Sequence, residues 1–187
     1  MRAEAKTVFF YFESPFFSGA EMQGLLNALS LSEDGHHVVI AYGDNANLGA
    51  ALKSKLGDRD VPLLKRSKIG RFKAASQNRW FLALAEPLDV AHSIVWSFWY
   101  LSKIRPAVVH IINGGYPGSP GARGVALGSL LDASRPKIIM TVNNMAVPYS
   151  SLMRRLQRPL DKVLSRSRMV WVTASQAANE RLAIVLG

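Results

Sequence analysis

The chain contains no cysteine. That excludes disulfides, thiolate nucleophiles and iron–sulfur ligation, and it fits the reducing cytoplasm, the expected location. Long apolar runs are also missing. Thr7–Phe12 and Ile94–Leu101 are the longest, against the roughly 20 residues a membrane helix needs. The first is also too short for the apolar core of a secretory leader. Histidine is scarce, and His36, His37, His92 and His110 have no metal-ligand spacing, so no metal is expected. Glu21 apart, acidic residues are sparse near the loops discussed below. No carboxylate pair suggests glycoside hydrolysis, and no Ser-His-Asp set can be assembled.

Apolar residues make up 49% of the 187. A chain of this size buries about 70% of its open-chain surface on folding, enough for one core without staples. The formal charge is +10, from 23 basic and 13 acidic residues. Residues 53–79 carry nine basic side chains against Asp58 and Asp60, and residues 154–168 carry six against Asp161. Two basic clusters on a near-neutral body suit a partner that bears phosphate, whether nucleotide, lipid or nucleic acid.

Val8–Phe12 reads as a buried parallel strand, continuously apolar. Further strands are expected at 37–42, 61–64, 107–112, 137–142 and 169–173, with 8–12, 38–42, 108–112, 138–142 and 169–173 as inner members of the sheet. Helices follow from Ser18, at 48–56, at 74–86 and 88–103, at 122–131, at 151–164 and after Ser175, which caps the last. Pro87 either opens the second piece of the long helix or kinks a single one. Leu88, Ala91, Val95, Phe98 and Leu101 form its 3.6-residue stripe, and Trp96, Trp99 and Tyr100 fall partly off it, as extra core or as a surface for lipid headgroups or a partner. About six strand–helix alternations with short links give an α/β fold: a Rossmann-like parallel sheet layered between helices, one domain over 1–187.

Ligands of such sheets bind beyond the carboxyl ends of the strands. Ser18-Gly19-Ala20-Glu21 after the first strand has the form of a capping box, and its bare backbone could equally approach an anion. It matches neither the dinucleotide fingerprint nor the Walker loop. Asn113 to Gly121 holds four glycines and two prolines in nine residues, poor packing material that suits a ligand. Arg123 opposes the dipole of the next helix and needs either a visiting anion or a nearby carboxylate. Asn143 and Asn144 either bond a ligand or simply turn the chain. His110, inside a strand, reads as packed or hydrogen-bonded.

Read together, these segments resemble glycosyltransferase family 4. The strand followed by Ser18-Gly19-Ala20-Glu21, the Leu-rich helix, Gly35-His36-His37-Val38, then Pro106-Ala107-Val108-Val109-His110 and Met169 to Ser175 are similar to the family's N-terminal domain. The resemblance implies the N-terminal, acceptor-side half of a GT-B architecture, with the donor-binding C-terminal domain and its Glu-x7-Glu motif absent from these 187 residues and possible as a separately encoded partner. It implies a retaining transfer from a UDP- or GDP-linked sugar to a glycan or lipid-linked acceptor, no tightly bound cofactor, and a setting in surface-polysaccharide or lipid-linked glycan assembly, cytoplasmic or peripheral on the inner face of an anionic membrane. A lone chain would be inactive. By the same resemblance Ser18 and Gly19 contact donor phosphate, while Asn113, Gly114, Gly115, Tyr116, Arg123, Asn143 and Asn144 contact acceptor or sugar. No catalytic residue is assigned. Two family histidines are replaced, at Ile112 and Asn143, and the hydrogen-bonding neighbours favour a re-equipped site over a decayed one. A basic α/β nucleic-acid-binding module or a scaffolding domain is the alternative. The chain lacks zinc, helix-turn-helix and aromatic RNA-binding signatures, so nucleic acid is not the expected partner.

Overall fold

The computed structural model describes residues 4–67, 79–147 and 158–187. Six strands, β1 (Thr7–Glu13), β2 (His37–Gly43), β3 (Leu63–Arg66), β4 (Val108–Asn113), β5 (Lys137–Val142) and β6 (Val170–Thr173), form one sheet in the order β3-β2-β1-β4-β5-β6. Every pairing is parallel. The helices are α1 (Gly19–Glu33), α2 (Ala46–Leu56), α3 (Arg79–Ile104), α4 (Pro120–Leu131), α5 (Arg158–Ser165) and α6 (Gln176–Leu186).

The continuous apolar run of β1 is explained by its place. Phe9 and Tyr11 face one core with α3 and α4 residues, while Val8, Phe10 and Phe12 face the other with Leu25, Leu48 and Leu52 of α1 and α2. From β1 the chain steps outward through β2 to β3, then returns to place β4 on the other side of β1. The β1/β4 boundary is therefore the topological switch point, where the loops diverge and open a crevice at the carboxyl edge.

Several expectations are corrected. The 169–173 strand is an edge strand, not an inner one, and its burial alternates, with Val170 and Val172 exposed. The third strand lies two residues later than the 61–64 expected, and Arg66 ends it. Of the two alternatives open for Pro87, the single long helix is the one found, which needs no correction. The apolar stripe of α3 faces outward. Leu88, Val95 and Phe98 are exposed and only Leu101 of that stripe's large side chains is buried. Beside Ala85, Val90 and Leu101, α3 buries Asp89, Ser93 and Ser97, the two serines lying against Gly124 and Gly128 of α4. Glycine lets the helices approach closely, and the serine hydroxyls donate back to the Asp89 and Ser93 carbonyls at 2.5 and 2.7 Å, which satisfies them without water. The aromatic cluster divides. Trp96 and Tyr100 stack with centroids 5.7 Å apart against Phe9, whereas Trp99 is exposed beneath the Lys103 ammonium. Residues 68–78 of the first basic cluster and 154–157 of the second lie outside the described residues, as does the helix expected from 151 up to 157.

Candidate functional site

Glu13 and Asn113 are register partners at the ends of β1 and β4. Above them opens a cavity of about 360 Å³ lined by Glu13, Ser14, Pro15, Phe16, Ser18, Asn113, Gly114, Gly115, Gly118, Ser119 and Asn144. Its size is that of a small-molecule site. The ladder continues past the strands, because Asn144 N–H donates to the Gly114 carbonyl at 2.9 Å and Val147 N–H to that of Tyr116 at 2.9 Å. Two loops are thereby fixed side by side along the wall. Gly118, at φ +60°, folds over the Asn113 side chain, and a Cβ there would meet the amide itself. Asn113 Nδ2 and Ser119 Oγ are buried with no hydrogen-bond partner among the described residues. Such groups cost stability unless something pairs with them.

Beneath the cavity is a buried charge network. Arg66 Nε donates to the Tyr11 hydroxyl at 2.8 Å, and that hydroxyl donates to Glu13 Oε2 at 2.8 Å. Arg66 Nη2 closes the ring on Glu13 Oε1 at 3.2 Å, and the guanidinium also forks onto Asp89 at 3.0 and 3.3 Å. Burial opposes the charge on Arg66, but Tyr11, Glu13 and Asp89 more than offset it and hold its pKa above the ordinary value. Burial, with Glu13 beside it, raises the Tyr11 phenol, which stays protonated and can serve as donor.

Behind the glycine loop lies a second network. The Tyr116 hydroxyl donates to Asp161 Oδ1 at 2.5 Å, and Arg123 Nη1 is 3.4 Å from the same oxygen. Burial and then Asp161 raise the Tyr116 phenol. Burial also raises the Asp161 carboxyl, opposed by the bonds from Tyr116 and Arg123.

The sequence-predicted residues thus separate. Ser18, Asn113, Gly114, Gly115 and Asn144 share the cavity. Gly19 stands beside it, with nothing near the position of a Cβ. Asn143 is outside the lining, its Nδ2 buried and unpartnered. Tyr116 and Arg123 are 1% and 2% exposed, behind the loop and engaged with Asp161, which is the nearby carboxylate that Arg123 needed. Glu21 caps α1, accepting from Ser18 N–H at 2.9 Å. His110 is hydrogen-bonded to Thr141 at 2.8 Å, and burial lowers its pKa to about 4. Sequence reasoning missed Glu13, Arg66 and Asp89. The only signal was an acidic residue closing an apolar strand. Among the described residues no cluster of His, Asp and Glu could hold a metal ion. A larger cavity, about 530 Å³, lies between α5 and α6 and holds none of the predicted residues.

No family model matches the sequence, and no curated protein does. Solved structures do. MurG of Acinetobacter baumannii is 16% identical with a TM-score of 0.59, over 90% of this chain and 41% of that one. CalG4, the calicheamicin glycosyltransferase, is 12% identical with a TM-score of 0.50, over 98% of this chain and 42% of that one. The fold is that of a GT-B N-terminal domain. The chain spans less than half the length of these two proteins.

Proposed function

We propose that this domain is the acceptor-binding half of a glycosyltransferase that takes a sugar from a UDP- or GDP-linked donor and passes it to a hydroxyl of a glycan or lipid-linked acceptor, retaining anomeric configuration. The observation that carries the reading is the cavity at the β1/β4 switch point, lined by Asn113 and Ser119, whose buried Nδ2 and Oγ have no hydrogen-bond partner among the described residues. Uncharged groups of this kind suit sugar hydroxyls. The donor belongs to a second domain, on a longer polypeptide or separately encoded. Ser18 and Gly19 face its phosphate from the rim, and the donor's own phosphate takes the acceptor proton, so no protein nucleophile is needed. The fold's likeness to MurG and CalG4 supports the same reading.

The reading places the domain peripherally on an anionic membrane. No described helix is long and apolar enough to cross a bilayer. The outer face of α3 instead offers Leu88, Val95, Phe98 and Trp99, with Lys103 over the indole. This is the pattern of a helix lying in a headgroup layer.

The test is reconstitution. Purified chain incubated with UDP-glucose or GDP-mannose and a lipid extract should release no nucleoside diphosphate above a mock preparation, because donor and acceptor must be held together for transfer. Adding the Glu-x7-Glu domain encoded beside or in frame with this coding sequence should start turnover. Sustained turnover by the chain alone, or none by the pair, would overturn the proposal.

A further inference from the structure

We propose that Glu13 is a specificity-determining residue, and that Glu13 and Asn113 together read a vicinal diol of the acceptor sugar. The inference rests on the cavity being the acceptor site and goes on to name what that site recognises.

Glu13 and Asn113 pair across β1 and β4, so their side chains leave the same face of neighbouring parallel strands, roughly 4.8 Å apart at the backbone. Both line the cavity. One is a carboxylate that only accepts hydrogen bonds. The other presents an amide N–H pair, 1% exposed as a residue and unpartnered at Nδ2. A hydroxyl both donates and accepts, so two hydroxyls on adjacent carbons satisfy an acceptor and a donor set side by side. One hydroxyl gives its proton to Glu13, and the next accepts from Asn113.

The carboxylate is held for such a task. Arg66 Nη2 fixes one oxygen and the Tyr11 hydroxyl the other. A Cβ at Gly43 would lie 2.9 Å from Glu13 Cγ, and one at Gly121 would collide with Oε2 and Arg66, so β2 and α4 both give up a side chain to make room for this group. Charge narrows the ligand class. The groups left unpartnered at the cavity, Asn113 Nδ2 and Ser119 Oγ, are uncharged, which suits a neutral polyol.

The experiment is an NMR titration of the full chain with methyl pyranosides of glucose, mannose and galactose at tens of millimolar, repeated with their 2-, 3- and 4-deoxy analogues and with Glu13→Gln. The expected result is that at least one glycoside shifts the Asn113 side-chain amide and the Gly114 and Gly115 backbone amides. Removing one hydroxyl of a vicinal pair should weaken binding about tenfold or more, as should Glu13→Gln. The deoxy series uses the unaltered chain, so it decides the matter even if Glu13→Gln unfolds. Deoxy analogues that all bind like their parents, or a folded Glu13→Gln that binds unchanged, would overturn the diol reading alone. No shift from any glycoside would overturn the acceptor reading of the cavity along with it.

Discussion

The Tyr116 hydroxyl donates to Asp161 Oδ1 at 2.5 Å, joining the loop after β4 to a helix 45 residues later. Tyr116→Phe leaves that buried oxygen only the 3.4 Å contact from Arg123 among the described residues and should cost about 1–3 kcal/mol of unfolding free energy. Burial already raises the Asp161 carboxyl, and losing this bond raises it further. A folded-state value above the unfolded one means stability present in acid and lost as pH rises through the folded value. The variant's deficit should therefore grow from strongly acid to neutral pH in urea unfolding. A deficit independent of pH would show that Asp161 does not titrate as described.

The α3–α4 contact makes a second prediction. A Cβ on Gly128 would collide with Ser97 Oγ and lie 2.7 Å from the Ile94 carbonyl. Gly128→Ala gains about 1 kcal/mol of helix propensity, but overpacking against a backbone oxygen costs about 1–3 kcal/mol. Net destabilisation is expected in denaturant unfolding, with Ser97→Ala in the same chain restoring only part, since the carbonyl remains. A more stable Gly128→Ala would contradict the close packing.

His110 supplies a pH dependence of opposite sign. Its pKa is lowered to about 4 by burial. Stability is then present above the unfolded value and lost as pH falls through the folded one. The loss amounts to about 3 kcal/mol near pH 4 relative to neutrality. His110→Phe should flatten this part of the pH profile. An unchanged slope would assign the acid sensitivity to carboxylates elsewhere.

The outer face of α3 predicts binding to vesicles. Wild-type chain should co-sediment with anionic phospholipid and less so as salt rises, because each basic residue near an anionic leaflet contributes about 1 kcal/mol, screened within a Debye length. Val95→Asp with Phe98→Asp should abolish binding and leave thermal unfolding nearly unchanged, both side chains being exposed. Equal or absent binding to neutral and anionic vesicles at low salt would contradict the membrane placement.

The sheet was legible because parallel strands buried on both faces read as unbroken apolar runs, as Val8–Phe12 and Val38–Ala41 do, and Val109–Ile112 is broken only by His110. Strand ends and edges were not. Arg66 was not legible as a buried strand residue because its charge is neutralised by Glu13 and Asp89, residues 53 positions before it and 23 after it. The stripe of α3 misled because the contact with α4 is made by Ser93 and Ser97 against glycine, which leaves Leu88, Val95 and Phe98 outside. At the site, glycine-rich composition disclosed the loop and Asn113. It could not show that Tyr116 and Arg123 turn away from the cavity, since their partner Asp161 lies far along the chain.

The central claim is that the cavity at the β1/β4 switch point takes the acceptor and not the nucleotide. A paired NMR titration of the chain with a methyl glycoside and with its UDP- or GDP-linked counterpart tests it most directly. The account predicts that the glycoside shifts the amides of Gly114, Gly115 and Asn144, and that the nucleotide-sugar perturbs at most Ser18 and Gly19. Shifts at Gly114 to Gly118 with free UDP or GDP, and none with any glycoside, would contradict it.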